Sequence, residues 1–137
     1  MNSVYLSLGT NLGSKSDNLN RAEMLLTERA GRVVKSSGHY ATEPWGMQTE
    51  NEFLNAVILL HTEHEPHALL CILRQIEVYM GRIRKSQKGQ YEDRIIDIDI
   101  LYYNDQNIQT PELTIPHPLI EQRSFILEGL KRINFNI

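Results

Sequence analysis

The sequence has a single cysteine, Cys71, so no intrachain disulfide can staple the fold and nothing calls for an oxidising compartment. Cys71 falls at an apolar helical position, where a small core residue is expected. Long apolar runs are also missing. The most apolar stretch is "AVILL", residues 56–60, far short of the roughly 20 residues that cross a bilayer as a helix. The opening "MNSVYLSLG" has neither a basic start nor a long apolar region, so no signal peptide is expected and a cytoplasmic location is. Positive charge is in deficit: 14 Lys and Arg against 17 Asp and Glu leave a formal charge of −3. That balance argues against a chain whose task is to grip nucleic-acid phosphates. "LGTNLG" lacks both the Lys-Ser/Thr of a phosphate loop and the dinucleotide-binding pattern. Gly9 and Gly13 are therefore expected to serve a tight strand-to-helix turn.

What is present belongs to a folded protein. The chain has 137 residues, 41% hydrophobic and 23% charged, enough for one domain with a core and too few for two ordinary ones. Without a repeat, low-complexity tract or Pro/Ser-rich linker, residues 1–137 read as one domain. "VYLSLG" alternates and predicts a strand. Leu19, Ala22, Leu25, Leu26 and Ala30 recur at helical spacing and predict a helix that closes at Gly31. "RVVKSSGHYAT" predicts a second strand, and "TEPWGMQTEN" a loop around Pro44 and Gly46. "EFLNAVILLHT" is apolar on both faces, as in a central strand. A helix with Pro66 in its first turn then carries Leu69, Ile72, Leu73, Ile76 and Met80 as far as Gly81. A basic loop, "RIRKSQKGQYED", leads to the strand "RIIDIDILYY", and a last helix is expected from near Pro118 through "LIEQRSFILEGLKRI". The order β-α-β-β-α-β plus a C-terminal helix predicts an α+β, ferredoxin-like (split β-α-β) sandwich. Its sheet is mostly antiparallel, with helices packed on one face and the other face free for an active site.

Asp97 and Asp99 are the anomaly of the last strand. They alternate with Ile96, Ile98 and Ile100, so the isoleucines can meet the core while both carboxylates leave the opposite face. Paired hard oxygen donors suit magnesium; the alternative is a strand whose outer face is merely wet. Arg82, Arg84, Lys85 and Lys88, with Arg94 just before the aspartates, bring guanidinium and ammonium groups to the same place. Carboxylates and cations together are the parts of a phosphoryl-transfer site, although a charge run is often only a solvated loop. His117 lies between two prolines and can donate to a phosphate, with Arg123 nearby; alone it reads as a surface turn histidine. Phe53 and Asn55 share a strand face and could read a planar heterocycle, although taken alone they read first as core.

The motifs "LGTNLG", "TEPWG", "FLNA", "IEVYMGRIRK", "RIIDIDIL" and "IPHPLIEQRSFIL" resemble, in order and spacing, those of the 6-hydroxymethyl-7,8-dihydropterin pyrophosphokinase family of folate biosynthesis. The likeness runs from about residue 4 to residue 127. It implies transfer of the pyrophosphoryl group of ATP to the pterin hydroxymethyl oxygen, giving AMP. It implies two Mg2+ ions held by Asp97 and Asp99, with Arg82 and Arg94 as catalytic phosphate-binding arginines. ATP contacts would come from Arg84, Lys85, Glu77, Ile100, Thr114 and His117. The pterin would stack between Phe53 and Phe125 and meet Thr42, Pro44, Trp45, Asn55 and Arg123. Partners would be these small molecules, with no nucleic acid and no membrane, and the chain is expected to be a monomer. Phe53 stands where many members carry Tyr, and "SQKGQYED" replaces an Arg-Trp pair common in that loop. Two other classes share this topology. A two-metal nucleotidyl transferase or cyclase also pairs aspartates, whereas an RNA-binding domain would want a basic face.

Overall fold

The computed structural model describes residues 1–42, 52–81 and 95–135. Strand β1 (Asn2–Thr10) is the spine of the sheet. Its alternation buries Val4, Leu6 and Leu8 fully on one face, as a period of two requires. Gly13 adopts φ +68° in the turn that follows, a backbone conformation that glycine tolerates best. Helix α1 (Lys15–Arg29) then lays Leu19, Ala22, Leu25 and Leu26 on the sheet. A Cβ at Gly31 would meet the His61 carbonyl oxygen at 2.2 Å, so only glycine lets the chain re-enter the sheet there.

The second predicted strand is two strands. β2 (Arg32–Ser36) and β3 (Tyr40–Thr42) are separated at Gly38, which has φ +75°. Both pair antiparallel with β4 (Phe53–Thr62), β2 toward one end and β3 at Phe53–Asn55. Helix α2 (Pro66–Tyr79) buries Leu69, Leu73, Ile76 and Glu77. Cys71 departs from expectation: it is exposed. It lies about 200° around the helix from Leu69, so the stripe that faces the core turns it outward. β5 (Asp97–Tyr103) completes the main sheet. A small hairpin, β6 (Ile108–Gln109) with β7 (Thr114–Ile115), packs beside it.

The sheet order is β2-β4-β1-β5, antiparallel throughout, with β3 extending the β2 side. This is the predicted split β-α-β arrangement. Helices α1 and α2 cover one face over a core that includes Leu6, Leu26, Leu73, Ile98 and Ile100. Helix α3 (Ser124–Arg132) covers part of the other face, with Val57, Leu101, Ile126 and Leu130 between them. It starts six residues later than Pro118 suggests. Residues 117–123 instead form successive turns, with Ile120 N–H bonded to His117 O, Gln122 N–H to Leu119 O, and Arg123 N–H to Ile120 O. His117 Nδ1 accepts the Leu119 N–H at 3.1 Å within these turns, and Arg123 is extended as the cap of α3.

Candidate active site

The face opposite α1 and α2 is built from alternate residues of three neighbouring strands. Gly9 of β1 stands opposite Asn55 on β4 and opposite Asp97 on β5. One row therefore reads Asn55–Gly9–Asp97, and the next reads Val57–Ser7–Asp99. Two strand spacings put Asn55 and Asp97 about 10 Å apart at the backbone. Helix α3 covers the second row at Val57. The first row thus joins an amide that can read a polar ring edge to a carboxylate that can serve a cation.

On the β4 side, Asn55 is buried and its Nδ2 donates to Thr42 Oγ1 at 2.6 Å. A Cβ at Gly9 would stand 3.2 Å from Asn55 Oδ1 and 3.8 Å from the Phe53 ring. Phe53 and Phe125 are both half-buried. Tyr40, paired with Asn55 across β3 and β4, donates its hydroxyl to the Phe125 carbonyl. That bond ties the start of α3 to β3, beside the strand carrying the amide. The Arg123 guanidinium carbon is 5.9 Å from the centre of the Phe125 ring. Arg123 is buried, which pushes its pKa down to about 10; it stays a cation at neutral pH, with little water left to remove before it meets an anion.

On the β5 side, both aspartates are half-buried. Burial first, then the neighbouring Asp97 charge, pushes Asp99 up to about 8, with Arg74 opposing. Among the described residues no cluster of three or more His, Cys, Asp or Glu is arranged for a metal. Magnesium does not need one, because it takes one or two carboxylates and completes its shell with water and phosphate oxygens. Two carboxylates that resist ionising together fit a site meant to hold a cation. His117 donates its backbone N–H to Leu101 O at 3.0 Å. Because its Nδ1 accepts a hydrogen bond, the neutral ring carries its proton on Nε2. Burial lowers its pKa, against a smaller raising effect of Asp97, so the ring is kept as a neutral Nε2–H donor.

The model of 7,8-dihydro-6-hydroxymethylpterin-pyrophosphokinase (HPPK) matches residues 5–135. The chain belongs to the HPPK family. A 2-amino-4-hydroxy-6-hydroxymethyldihydropteridine pyrophosphokinase of Porphyromonas gingivalis is 47% identical over 124 residues, 90% of this chain and 84% of the relative. The enzyme of that name from Bacillus subtilis is 38% identical over 133 residues, 96% of this chain and 78% of the relative. Among solved structures, the wild-type HPPK-DHPS of Plasmodium falciparum superposes with a TM-score of 0.74 at 17% identity. It covers 98% of this chain while the chain spans 42% of it, a likeness of fold.

Within that HPPK frame, the structure brings Asp97, Asp99, Thr42, Phe53 and Asn55 to one face, with His117, Arg123 and Phe125 on the segment that crosses it. Glu77 is buried and spends Oε2 on the Ile98 N–H at 2.8 Å and on Arg74 at 2.7 Å. It has a structural task beside the ATP contact that the resemblance implies. The Ile100 side chain lies in the core under α1 and α2, away from the carboxylates, and Thr114 is exposed on β7. Pro44, Trp45, Arg82, Arg84, Lys85 and Arg94 lie outside the described residues.

Two residues escape the sequence reading. Gly9 is no turn residue but an interior strand position between Asn55 and Asp97; the continuing alternation through Thr10 was the available signal. Arg74, which reaches β5, shares a helix face with Glu77 at a spacing of three.

Proposed function

We infer that the chain performs the family's reaction. It transfers the pyrophosphoryl group of ATP to the hydroxymethyl oxygen of 6-hydroxymethyl-7,8-dihydropterin, giving AMP and the pterin pyrophosphate of folate synthesis. The observation that carries this reading is the row Asn55–Gly9–Asp97, which sets a ring-reading amide one glycine away from a metal carboxylate. The pterin lies toward β3 and β4, between Phe53 and Phe125, where stacking adds about 0.5–1.5 kcal/mol beyond area burial. Asn55, fixed by Thr42, meets its polar edge; backbone groups beside Pro44 and Trp45 complete it, and Arg123 supplies charge near the ring. The missing Cβ of Gly9 leaves room for the substrate to pass from amide to carboxylates.

ATP lies along β5. Asp97 and Asp99 would hold two Mg2+ ions, and the ions would supply positive charge against the phosphates during the transfer. His117 offers its Nε2–H to a phosphate oxygen, and the low pKa keeps that donor neutral and its tautomer unique. Arg82 and Arg94 neutralise charge on the oxygen that bridges the α- and β-phosphorus as the hydroxyl attacks the β-phosphorus. Arg84, Lys85, Glu77, Thr114 and the backbone of Ile100 bound the nucleotide.

Residues 1–137 act as one pyrophosphokinase unit, and as a monomer. A cytoplasmic location suits an ATP-consuming enzyme. No helix among the described residues is long and apolar enough to cross a membrane. The test is product analysis with ATP, Mg2+ and the pterin alcohol. AMP and pterin pyrophosphate in equal amounts, dependent on both pterin and metal, are expected. ADP, or turnover without the pterin, would refute the reading.

A further inference from the structure

Arg74 and Glu77 stand one turn apart on α2, beside the outer edge of β5. Among the described residues β5 pairs only with β1 in the main sheet, so alternate residues there leave their N–H and C=O without a described strand partner on the outer side. At Ile98 two side chains take that partner's place. Glu77 Oε2 accepts the Ile98 N–H at 2.8 Å, and Arg74 Nη1 donates to the Ile98 carbonyl at 2.9 Å. Arg74 Nη1 also lies 2.7 Å from Glu77 Oε2, which closes a ring around one residue. That residue sits between Asp97 and Asp99. Arg74 Nη2 is 3.8 Å from Asp99 Oδ1, and the buried Arg74 Nε has no hydrogen-bond partner among the described residues.

We propose that Arg74 is a positioning residue for the metal site: with Glu77 it clamps the edge of β5 at Ile98, so that Asp97 and Asp99 present their carboxylates together to a divalent cation. The proposal rests on the metal reading given above. Two effects of Arg74 oppose each other. As a nearby cation it repels a metal, so removing it would tighten binding; as a clamp it orders the donors, so removing it would loosen binding. The clamp wins because Glu77, paired with Arg74, offsets part of its charge at the carboxylates, while both hold Ile98 directly. Its hydrogen bonds to Ile98 and Glu77 are all under 3 Å, against a 3.8 Å approach to Asp99. Partners behind a metal ligand commonly change metal affinity by about 10–100-fold.

The probe is Mn2+ in the presence of α,β-methylene-ATP, with uptake followed by loss of the free-ion electron paramagnetic resonance signal. Arg74→Met should weaken Mn2+ uptake about 10-fold or more, while turnover at saturating metal recovers much of the wild-type rate. Arg74→Lys keeps the charge and loses the planar fork, so it should stay nearer to Arg74→Met than to wild type. Glu77→Gln keeps an acceptor for Ile98 but breaks the charge pair, and should weaken uptake too. Circular dichroism of the metal-free variants shows that each is folded at the working temperature; Glu77→Gln carries the test if Arg74→Met is not. Unchanged or tighter uptake in the folded variants, or full recovery by Arg74→Lys, overturns the proposal. Asp97→Asn separates the two readings. If wild type takes up Mn2+ no better than Asp97→Asn, the metal site itself fails; if wild type binds and Arg74→Met matches it, only the clamp fails.

Discussion

Asp99 is a quarter exposed, beside a second carboxylate and a guanidinium, and its chemistry divides into two testable consequences. Its folded pKa, about 8, lies above the usual aspartate value. Folding therefore favours the protonated form, and this contribution is full below about pH 4 and lost as pH rises through about 8. Metal-free protein should melt at falling temperature between pH 5 and pH 9, and Asp99→Asn should flatten that slope; equal slopes would count against the shift. Adding Mg2+ should raise the melting temperature most at the alkaline end, where the cation no longer competes with a proton. In catalysis, Asp97→Ala and Asp99→Ala should each lower turnover by about 100-fold or more while the far-ultraviolet spectrum stays that of folded protein. Near-wild-type rates in either variant would end the metal assignment. Phe125→Ala should weaken pterin binding well beyond ATP binding in calorimetric titrations, because the proposed stack involves the pterin alone.

β1 meets the site through a residue with no side chain. Gly9 has Asn55 on one side and Asp97 on the other, and an added Cβ would stand 3.2 Å from Asn55 Oδ1. Asn55 is itself held by Thr42, so it has little freedom to retreat. Gly9→Ala should weaken pterin binding by about 1 kcal/mol, the low end of what overpacking costs, which is about fivefold in Kd. The ATP constant should move much less. Equal losses for both substrates would mean that β1 itself had shifted.

Across the whole molecule, the two faces of the sheet carry different loads. Helices α1 and α2 bury the larger core, while α3 covers part of the site face and brings Phe125 with it. The closest approach in that second layer is at Gly129, where a Cβ would meet the Tyr40 hydroxyl and Val57 Cγ2, each at 2.3 Å. Gly129→Ala should lower stability by about 1–3 kcal/mol in denaturant titration and should raise the pterin constant, because Tyr40 also holds the Phe125 carbonyl. A stable variant with unchanged pterin binding would show that α3 docks without Gly129. Strand and helix order were legible in the sequence because periods of two and 3.6 follow from local geometry, and Asp97 and Asp99 were placed on one face by the same rule. Local pattern also misled. "RVVKSSGHYAT" reads as one strand but breaks at Gly38, the helix after Pro118 waits until Ser124, and Cys71 faces solvent. By itself the sequence determined the order of elements, the two-sided character of "RIIDIDI" and the family likeness, all carried by near neighbours along the chain. Only the tertiary structure decided that Gly9 joins Asn55 to Asp97, that Arg74 and Glu77 close on Ile98, and that α3 shares the face of the carboxylates. Those contacts depend on strand register and helix docking, which join residues tens of positions apart and leave no periodic trace in the chain.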